Sequence, residues 1–347
     1  MTGTTAGPLL RTALRVGGVV HALRSAAARA SGFAPGVVAY TSYGSTGSVR
    51  ILARVLIANP GHAAGHEENA RPANIRGWRA FTSVPVPGAA VTIEIDGSRH
   101  EATADGGGLV DRVIPVRLEP GWHTAILHAE GTGPVEARVF VIAPGTSLGI
   151  VSDIDDTVMV TALPRPFLAF WNTFVLNERA RSATPGMAVL MDRILRSHPD
   201  APVIYLSTGP WNAAPTLARF LARNLYPAGA LLLTDWGLTQ ERWFRSGKEH
   251  KARNLERLAR DFPDVRWLLV GDDGQHDEEV YGAFAKAHPG NVAAVAIRQL
   301  SPGEAVLAGG RAHTGGAAGP EAASSAPWVY AGDGAGLQSQ LAPLGLG

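Results

Sequence analysis

The spacing of apolar residues changes near residue 145 and divides the chain into two regions. Between residues 48 and 57 every second residue is apolar, and residues 91–95 repeat this alternation before the turn pair Asp96-Gly97. Short strands with regular turns predict an all-β, sandwich-like domain over residues 36–145. Its further candidate strands are residues 109–118, 124–129 and 135–142.

After residue 145, apolar runs alternate with stretches of helical periodicity. This alternation predicts a doubly wound parallel α/β sheet over residues 146–300. The predicted strands are residues 148–151, 203–206, 230–233, 267–270 and 292–297, and the clearest helices are residues 216–223 and 251–261.

Four further segments complete the predicted organisation. Residues 1–35 hold four arginines and no acidic residue, which predicts a basic helical segment that packs on the protein or rests on anionic lipid. Residues 158–200, which include four aromatic residues, predict a helical insert beside the site. Residues 301–326 are rich in Gly, Ala and Ser and predict a mobile loop, and residues 327–347 predict a last strand and helix of the α/β domain.

Composition narrows the classes of function. The chain has no cysteine, which excludes disulfides, thiol catalysis and cysteine-ligated metal sites. Its net charge of +1 gives no electrostatic case for nucleic-acid binding. Only Lys248, Lys251 and Lys286 among 31 basic residues are lysines, which with abundant Ala and Gly indicates a GC-rich bacterial coding bias. A lysine retained in such a chain indicates a need for a compact ammonium group.

The strongest candidate for chemistry follows the strand predicted at residues 148–151. There the apolar run ends in Asp153, Asp155, Asp156 and Thr157. Parallel α/β sheets bind ligands outside the carboxyl ends of their strands. Adjacent carboxylates need a neutralising cation such as Mg²⁺, and an aspartate can also act as a nucleophile. The alternatives are an acidic turn or a Ca²⁺ loop, although the apolar residues after Thr157 do not suit an EF-hand-like loop.

Three later segments are expected at the same edge of the sheet. The run Ser207-Thr208-Gly209 offers a hydroxyl and free N–H groups at a predicted helix entrance, where a phosphate is favoured. Lys248 and Lys251 are predicted to open a helix, and Asp272 and Asp277 follow another strand. Each signal is weak alone, but chance rarely gives all four groups in this order.

These residues resemble the motifs of a known superfamily. Asp153-Ile-Asp155-Asp-Thr157, Ser207, a lysine, and Asp272 with Asp277 are similar to the four motifs of the haloacid-dehalogenase-like phosphatases. Over residues 148–300 the chain also resembles the catalytic-domain family of the actin-patch-type phosphatidate phosphatases and their bacterial relatives. That closer resemblance is carried by residues 152–157, Pro210-Trp211, residues 234–237, His250-Lys251 and residues 271–281.

The resemblance implies a fold and a chemical role for each matching residue. The implied fold is a haloacid-dehalogenase-like doubly wound parallel sheet with a small helical insert, preceded by the sandwich-like domain. Asp153 is implied as the nucleophile that forms an aspartyl-phosphate, and Asp155 as the acid and base. Ser207 would hydrogen-bond a phosphoryl oxygen, and Lys251, or alternatively Lys248, would offset its charge.

The resemblance also implies Mg²⁺ as the cofactor. Asp272, Asp153 and the backbone carbonyl of Asp155 would hold the ion, and Asp277 would bind it through water or orient the other ligands. Asp273 stands where we expect a serine, and its carboxylate could alter metal binding. The remaining candidates, all for substrate binding, are Thr157, Thr208 and Gly209.

The sequence therefore predicts a Mg²⁺-dependent phosphomonoester phosphatase, with phosphatidate as the substrate that the family suggests and diacylglycerol as the product. Two alternatives stay open: a phosphatase of a soluble phosphomonoester, and a phosphate- or lipid-binding module without turnover. We expect a cytoplasmic protein without a transmembrane segment or a nucleic-acid partner, and peripheral contact with the inner membrane surface is left open. The sequence does not identify any protein partner.

Overall fold

The computed structural model describes residues 34–58, 84–161, 181–234, 240–274, 276–307 and 326–347. Residues 1–33 of the predicted basic helix lie outside the described residues. So do the four aromatic residues of the predicted insert and residues 308–325 of the predicted loop.

The N-terminal region forms a nine-stranded, mainly antiparallel sheet. Its strands are β1 Ala34–Ala39, β2 Ser42–Ser45, β3 Ser48–Ala58, β4 Val84–Pro85, β5 Ala90–Ile95, β6 Ser98–Thr103, β7 Leu109–Pro115, β8 Gly121–Ala129 and β9 Val135–Ile142. Hydrogen-bonded pairs join them along the path β1-β3-β2-β9-β8-β5-β6, in which β1 and β2 pair with successive parts of the same edge of β3. Strands β4 and β7 pair with the edge of β3 that faces away from β1 and β2, so β3 has paired neighbours on both sides.

The alternation of residues predicted for β3 is confirmed. The two faces of this strand are both buried, one in each region of the protein. Val49 and Ile51 lie in the core of the β region. The opposite face of β3 carries Arg50, Leu52 and Arg54, which are also buried. Leu52 belongs to the core of the α/β region, so the two regions pack against each other through this face.

Several boundaries in the β region differ from the prediction. Strand β1 begins inside the predicted helical segment, β8 begins three residues earlier than expected, and β7 ends three residues earlier. Strands β1, β2, β4 and β6 were not predicted. β2 and β4 are short, and β6 buries only Ala102, so its sequence carries almost no apolar signal.

The second region is a mixed α/β unit whose predicted parallel sheet is confirmed. Its strands are β10 Leu148–Ser152, β13 Val203–Pro210, β14 Ala230–Thr234, β15 Arg266–Asp272, β16 Val292–Arg298 and β17 Trp328–Ala331. They lie in the order β14-β13-β10-β15-β16-β17, and every pairing is parallel. Because β10 lies between β13 and β15, the segments that follow these three strands meet at one edge.

The helices of this region are α1 Met187–Ser197, α2 Ala214–Arg223, α3 Gln240–Asp261, α4 Asp277–Ala287, α5 Pro302–Leu307 and α6 Gly334–Leu341. Helix α3 begins eleven residues before residue 251, so the prediction that the two lysines open a helix is wrong. The prediction of a loop over residues 301–326 is wrong for residues 302–307. Ser301 and Glu304 cap α5 reciprocally, since each side chain accepts a hydrogen bond from the other residue's backbone N–H.

The predicted helical insert over residues 158–200 contains the helix α1, but two short stretches before α1 are extended. Residues Met159–Thr161 form β11 and residues Arg181–Ala183 form β12, and the two strands pair as an antiparallel ribbon. Val160 and Thr161 are β-branched, which favours extended backbone. The ribbon therefore leaves the sheet directly after the acidic segment that follows β10.

Gly149 tests the packing of the central strands. A Cβ on Gly149 would lie 2.6 Å from ring atom Cε3 of the buried Trp267. We predict that Gly149→Ala lowers the free energy of unfolding by about 1–3 kcal/mol, because the core would have to shift. The control Gly290→Ala, whose Cβ would meet nothing within 4 Å, should change it by less than about 0.5 kcal/mol. Urea unfolding measures both, and equal losses would contradict this packing.

Candidate active site

The acidic segment after β10 is folded into a tight turn. The backbone N–H of Asp153 donates to Val270 O of β15 at 2.8 Å, which extends the sheet pairing to the first carboxylate. Asp156 adopts a left-handed conformation with φ of 59°, which aspartate tolerates better than most residues. Its N–H donates to Met159 O at 2.8 Å and closes the turn.

Three buried carboxylates meet at the edge of the sheet. Asp153 follows β10, Asp272 ends β15 and Asp277 begins α4. All three residues are at most 2% exposed, and one oxygen from each lies within 4.8 Å of the others. We call Asp153, Asp272 and Asp277 the carboxylate cluster.

Lys251 reaches this cluster from the middle of α3. Its Nζ lies 2.7 Å from Asp153 Oδ1 and also donates to Asp277 Oδ1. Lys248, one turn earlier, instead forms an ion pair of 2.6 Å with the exposed Glu279. Of the two candidate lysines, the structure therefore brings Lys251 and not Lys248 to the carboxylate cluster.

The electrostatics of the cluster follow from burial and proximity. Burial raises the pKa of Asp153 well above its ordinary value, and Asp277 and Asp155 raise it further against the opposing effect of Lys251. Burial, then Asp277 and Asp153, likewise raise the pKa of Asp272 well above its usual range. Burial lowers the pKa of Lys251, but Asp153 and Asp277 outweigh it, so this pKa is raised.

A divalent cation fits the cluster. The three carboxylates lie close together, but a single ammonium group contacts only Asp153 and Asp277, so full ionisation would leave excess negative charge in a buried place. Asp153 Oδ2 is buried and has no hydrogen-bond partner among the described residues. Carboxylate oxygens are the ligands that Mg²⁺ and Ca²⁺ prefer, so the donor set suits either ion.

Ser207 and Asp155 meet beside the cluster. Ser207 Oγ donates to Asp155 Oδ2 at 2.9 Å and accepts from the Gly209 N–H at 2.9 Å. The predicted helix entrance lies at the end of this run, because β13 continues to Pro210 and a 3₁₀ helix over Trp211–Ala213 then leads into α2 at Ala214. The N–H group of Gly209, which was expected to be free for phosphate, is bonded to Ser207 Oγ.

The structure places three other predicted residues near the site. Thr157 is fully buried, and its Oγ1 lies 3.5 Å from Asp272 Oδ2. Thr208 accepts a hydrogen bond of 2.8 Å from Thr234 Oγ1 through its backbone carbonyl. Asp273 Oδ1 accepts from the Leu300 N–H at 2.8 Å, so this carboxylate anchors the chain after β16 and is not part of the carboxylate cluster.

Arg298 and Gly271 support the site but were not proposed from the sequence. Arg298 is buried at the end of β16, and its Nη1 donates to the carbonyl of Asp156 at 2.7 Å while Nη2 bonds Glu304 Oε1 at 2.7 Å. A Cβ on Gly271 would lie 2.6 Å from Asp277 Oδ2, so only glycine leaves room for that carboxylate. Gly271 stands directly before Asp272, which was a usable sequence signal. For Arg298 the sequence offered no signal beyond its position at the end of a predicted strand.

The sequence that carries these groups can be compared with known protein families. Residues 148–299 match the family model of the phosphatidate phosphatase APP1 catalytic domain. The resemblance predicted from the motifs is therefore confirmed for this region, which we call the APP1-like domain. The matched family is one of phosphatase hydrolases.

Two fungal proteins are similar to part of this chain. Phosphatidate phosphatase APP1 of Saccharomyces cerevisiae is 26% identical over 155 residues, which is 44% of this chain and 26% of the yeast protein. An uncharacterized protein of Schizosaccharomyces pombe is 25% identical over 154 residues, which is 44% of this chain and 25% of that protein. The chain thus spans about a quarter of the length of these curated relatives.

Among solved structures, the HAD domain of effector protein Lem4 from Legionella pneumophila aligns with 46% of this chain and 90% of its own. The sequence identity is 15% and the TM-score is 0.31, which is too low to support an argument about fold or function.

Within the described residues, no helix combines the length and the hydropathy that crossing a bilayer requires.

Lys251 and Lys248 provide a matched pair of substitutions. We predict that Lys251→Met costs about 3–5 kcal/mol of unfolding free energy in chelator, because it leaves buried carboxylates without their ammonium partner. Lys248→Met should cost less than about 1 kcal/mol, since its ion pair is near the surface. Denaturant unfolding of both variants measures the difference. Similar losses would show that Lys251 does not hold the cluster together.

The raised pKa values of Asp153 and Asp272 predict a pH dependence. The folded state keeps protons on these carboxyls that the unfolded chain releases near about pH 4. This contribution to stability is full below about pH 4 and is lost as the pH rises through the raised pKa values. We therefore predict that the Asp272→Asn variant in chelator loses less stability than the unmodified protein as the pH rises from about 4 towards neutrality. Identical pH profiles in urea unfolding would contradict this assignment.

Proposed function

We propose that the protein is a Mg²⁺-dependent phosphomonoester phosphatase that acts through an aspartyl-phosphate on Asp153. The observation that carries the proposal is the arrangement of two carboxylates on one turn. Asp153 contacts Lys251, while Asp155 accepts a hydrogen bond from Ser207. The match of residues 148–299 to a phosphatase family and the parallel sheet agree with this chemistry, and we propose a haloacid-dehalogenase-like doubly wound fold for that sheet.

The first chemical step would use the carboxylate of Asp153. Lys251 holds Asp153 through Oδ1, and a carboxylate oxygen of Asp153 would attack phosphorus. The new bond joins this oxygen to phosphorus, and the bond from phosphorus to the ester oxygen breaks. Asp155 would protonate the departing alkoxide.

The second step would return the enzyme to its starting state. Asp155, now deprotonated, would take a proton from the water that attacks the phosphoryl group, and inorganic phosphate would leave from Asp153. Ser207 would donate to a phosphoryl oxygen, and Lys251 would offset negative charge. Thr208 and Gly209 would border the substrate, while Thr157 would act through its contact with Asp272.

The carboxylate cluster would hold the cofactor. We propose that Asp272, Asp153 and the backbone carbonyl of Asp155 bind Mg²⁺, with Asp277 bound through water or orienting the others. When bound, the ion would neutralise charge on the cluster and on the transferred phosphoryl group.

Phosphatidate is the substrate that the comparisons favour. The family model is that of phosphatidate phosphatase APP1, and the yeast relative carries that name. We therefore propose turnover of phosphatidate to diacylglycerol at a membrane surface that the protein meets from the cytoplasm. A soluble phosphomonoester would use the same residues, so substrate must be tested separately from mechanism.

The test measures phosphate release from phosphatidate in mixed micelles and from a panel of soluble phosphomonoesters, with Mg²⁺ or with chelator. We predict phosphatidate-selective, Mg²⁺-dependent release that Asp153→Asn reduces by about 10³-fold or more. The control is Asp273→Asn, because this neighbouring carboxylate lies outside the cluster and an amide oxygen can still accept the Leu300 N–H. It should stay within about threefold of the unmodified protein.

The other outcomes separate the alternatives. Mutant-sensitive release from soluble esters alone would keep the mechanism and reject phosphatidate. If phosphatidate liposomes bound the protein without phosphate release, and Asp153→Asn left binding unchanged, the protein would be a binding module and the catalytic proposal would be wrong.

A further inference from the structure

The β region contacts the segment that carries Ser207. We define the Ser207 segment as residues 207–212, which link the end of β13 to α2. The family match begins at residue 148, so the residues of β1 to β9 lie outside the matched region. Two adjacent residues of the Ser207 segment, Trp211 and Asn212, are contacted from the β region.

The first contact is a buried hydrogen bond from Arg54 of β3. Arg54 is 7% exposed, and its Nε donates to the carbonyl of Gly107 at 2.8 Å, which fixes the guanidinium within the β region. Its Nη1 donates to Asn212 Oδ1. Because the guanidinium is planar, the bond to Gly107 also sets the direction of the bond to Asn212.

The second contact is a stacked pair of aromatic rings. The ring of Tyr40 lies 4.8 Å from that of Trp211, at an interplanar angle of 26°. Trp211 is 4% exposed, and Tyr40 is tied to β3 by a backbone hydrogen bond of 3.0 Å to Leu52 O. Both contacts therefore originate from β3 or from a residue bonded to it.

The Ser207 segment needs such support because its sheet pairing is irregular. Pairing of β13 with β10 ends at Tyr205. Its register with β14 shifts between Leu206 and Pro210, which spans Ser207 itself. From the α/β side, Thr234 Oγ1 holds the carbonyls of Thr208 and Gly209 at 2.8 and 3.2 Å. The β region holds the other end of the segment.

We infer that Arg54 and Tyr40 are positioning residues that make the β region part of the catalytic unit, by holding the Ser207 segment in place. Ser207 in turn donates to Asp155, so its placement affects both the phosphoryl contact and the acid. The inference rests on the proposed function in one respect, that Ser207 contacts the phosphoryl group. A misplacement of about 1 Å at such a contact can lower a rate by about 10²-fold.

The test compares Arg54→Ala with Arg257→Ala in the full chain. Arg257 also joins the two regions, through an ion pair of 3.6 Å with Asp111, but this pair does not involve the Ser207 segment. We expect Arg54→Ala to lower kcat by about 10- to 100-fold with an unchanged Kd for Mg²⁺. Arg257→Ala should leave both values unchanged.

Substitutions at Asn212 keep the test decisive if Arg54→Ala does not fold. Asn212→Ala should reproduce the loss of kcat, whereas Asn212→Asp keeps an oxygen acceptor for Arg54 and should retain most of the rate. The losses from Arg54→Ala and Asn212→Ala should not add in the double variant, because both remove one contact.

Amide hydrogen exchange separates this inference from the proposed function, because it requires no substrate. Peptides covering residues 207–213 should exchange faster in Arg54→Ala and Asn212→Ala than in Arg257→Ala. If the unmodified protein hydrolyses nothing, the proposed function fails, and faster exchange still supports the structural coupling. Unchanged exchange and kcat in Arg54→Ala, or equal losses in Arg257→Ala, would overturn the inference.

Discussion

The ammonium group of Lys251 inside a cluster of buried carboxylates is the interaction on which the site depends. It joins Asp153, which follows the central strand, to Asp277, which begins α4. Burial raises the pKa of Asp153 and that of Asp272, and the neighbouring carboxylates, which a single positive charge does not balance, raise both pKa values further. The same excess of negative charge suits a divalent cation, whose charge would offset it. The residues that stabilise this part of the fold are thus the same residues for which we propose a chemical role.

The fold supplies this cluster through the order of its parallel strands. Because β10 lies between β13 and β15, the turn with Asp153 and Asp155 is adjacent to Ser207 on one side and to Asp272 on the other. Arg298, at the end of β16, donates a hydrogen bond to the carbonyl of Asp156. The acidic turn is therefore also held by a strand that does not pair with β10. The β region adds a further layer, since the outer face of β3 is buried against the APP1-like domain.

The sequence was informative where a pattern changed abruptly. The strand before Asp153 and the one that ends in Asp272 could be found because an apolar run turns acidic within two residues. Lys251 stood out because lysine is rare in this chain, although the resemblance was needed to prefer it to Lys248. The capping pair Ser301 and Glu304 was present in the sequence but was overlooked within a Gly- and Ala-rich stretch.

Other features could not be read from local pattern, because they depend on what covers a surface. Arg50 and Arg54 alternate with apolar residues as any solvated strand face would, yet both are buried by the second region. The bond between Ser207 and Gly209 likewise depends on how far β13 continues, and the sequence predicted free N–H groups there. Packing between segments that are distant in sequence decides whether such residues are buried and where such strands end. The periodicity of the sequence carries no information about that packing.

The central claim is best tested by identifying the residue that carries the phosphoryl group during turnover. Mg²⁺-loaded protein would be acid-quenched while it hydrolyses a phosphomonoester and then treated with borohydride, which reduces an aspartyl-phosphate to homoserine that peptide mapping can detect. The account predicts homoserine at position 153 alone, and none in Asp153→Asn. Turnover without modification at Asp153, or modification at another residue, would contradict it.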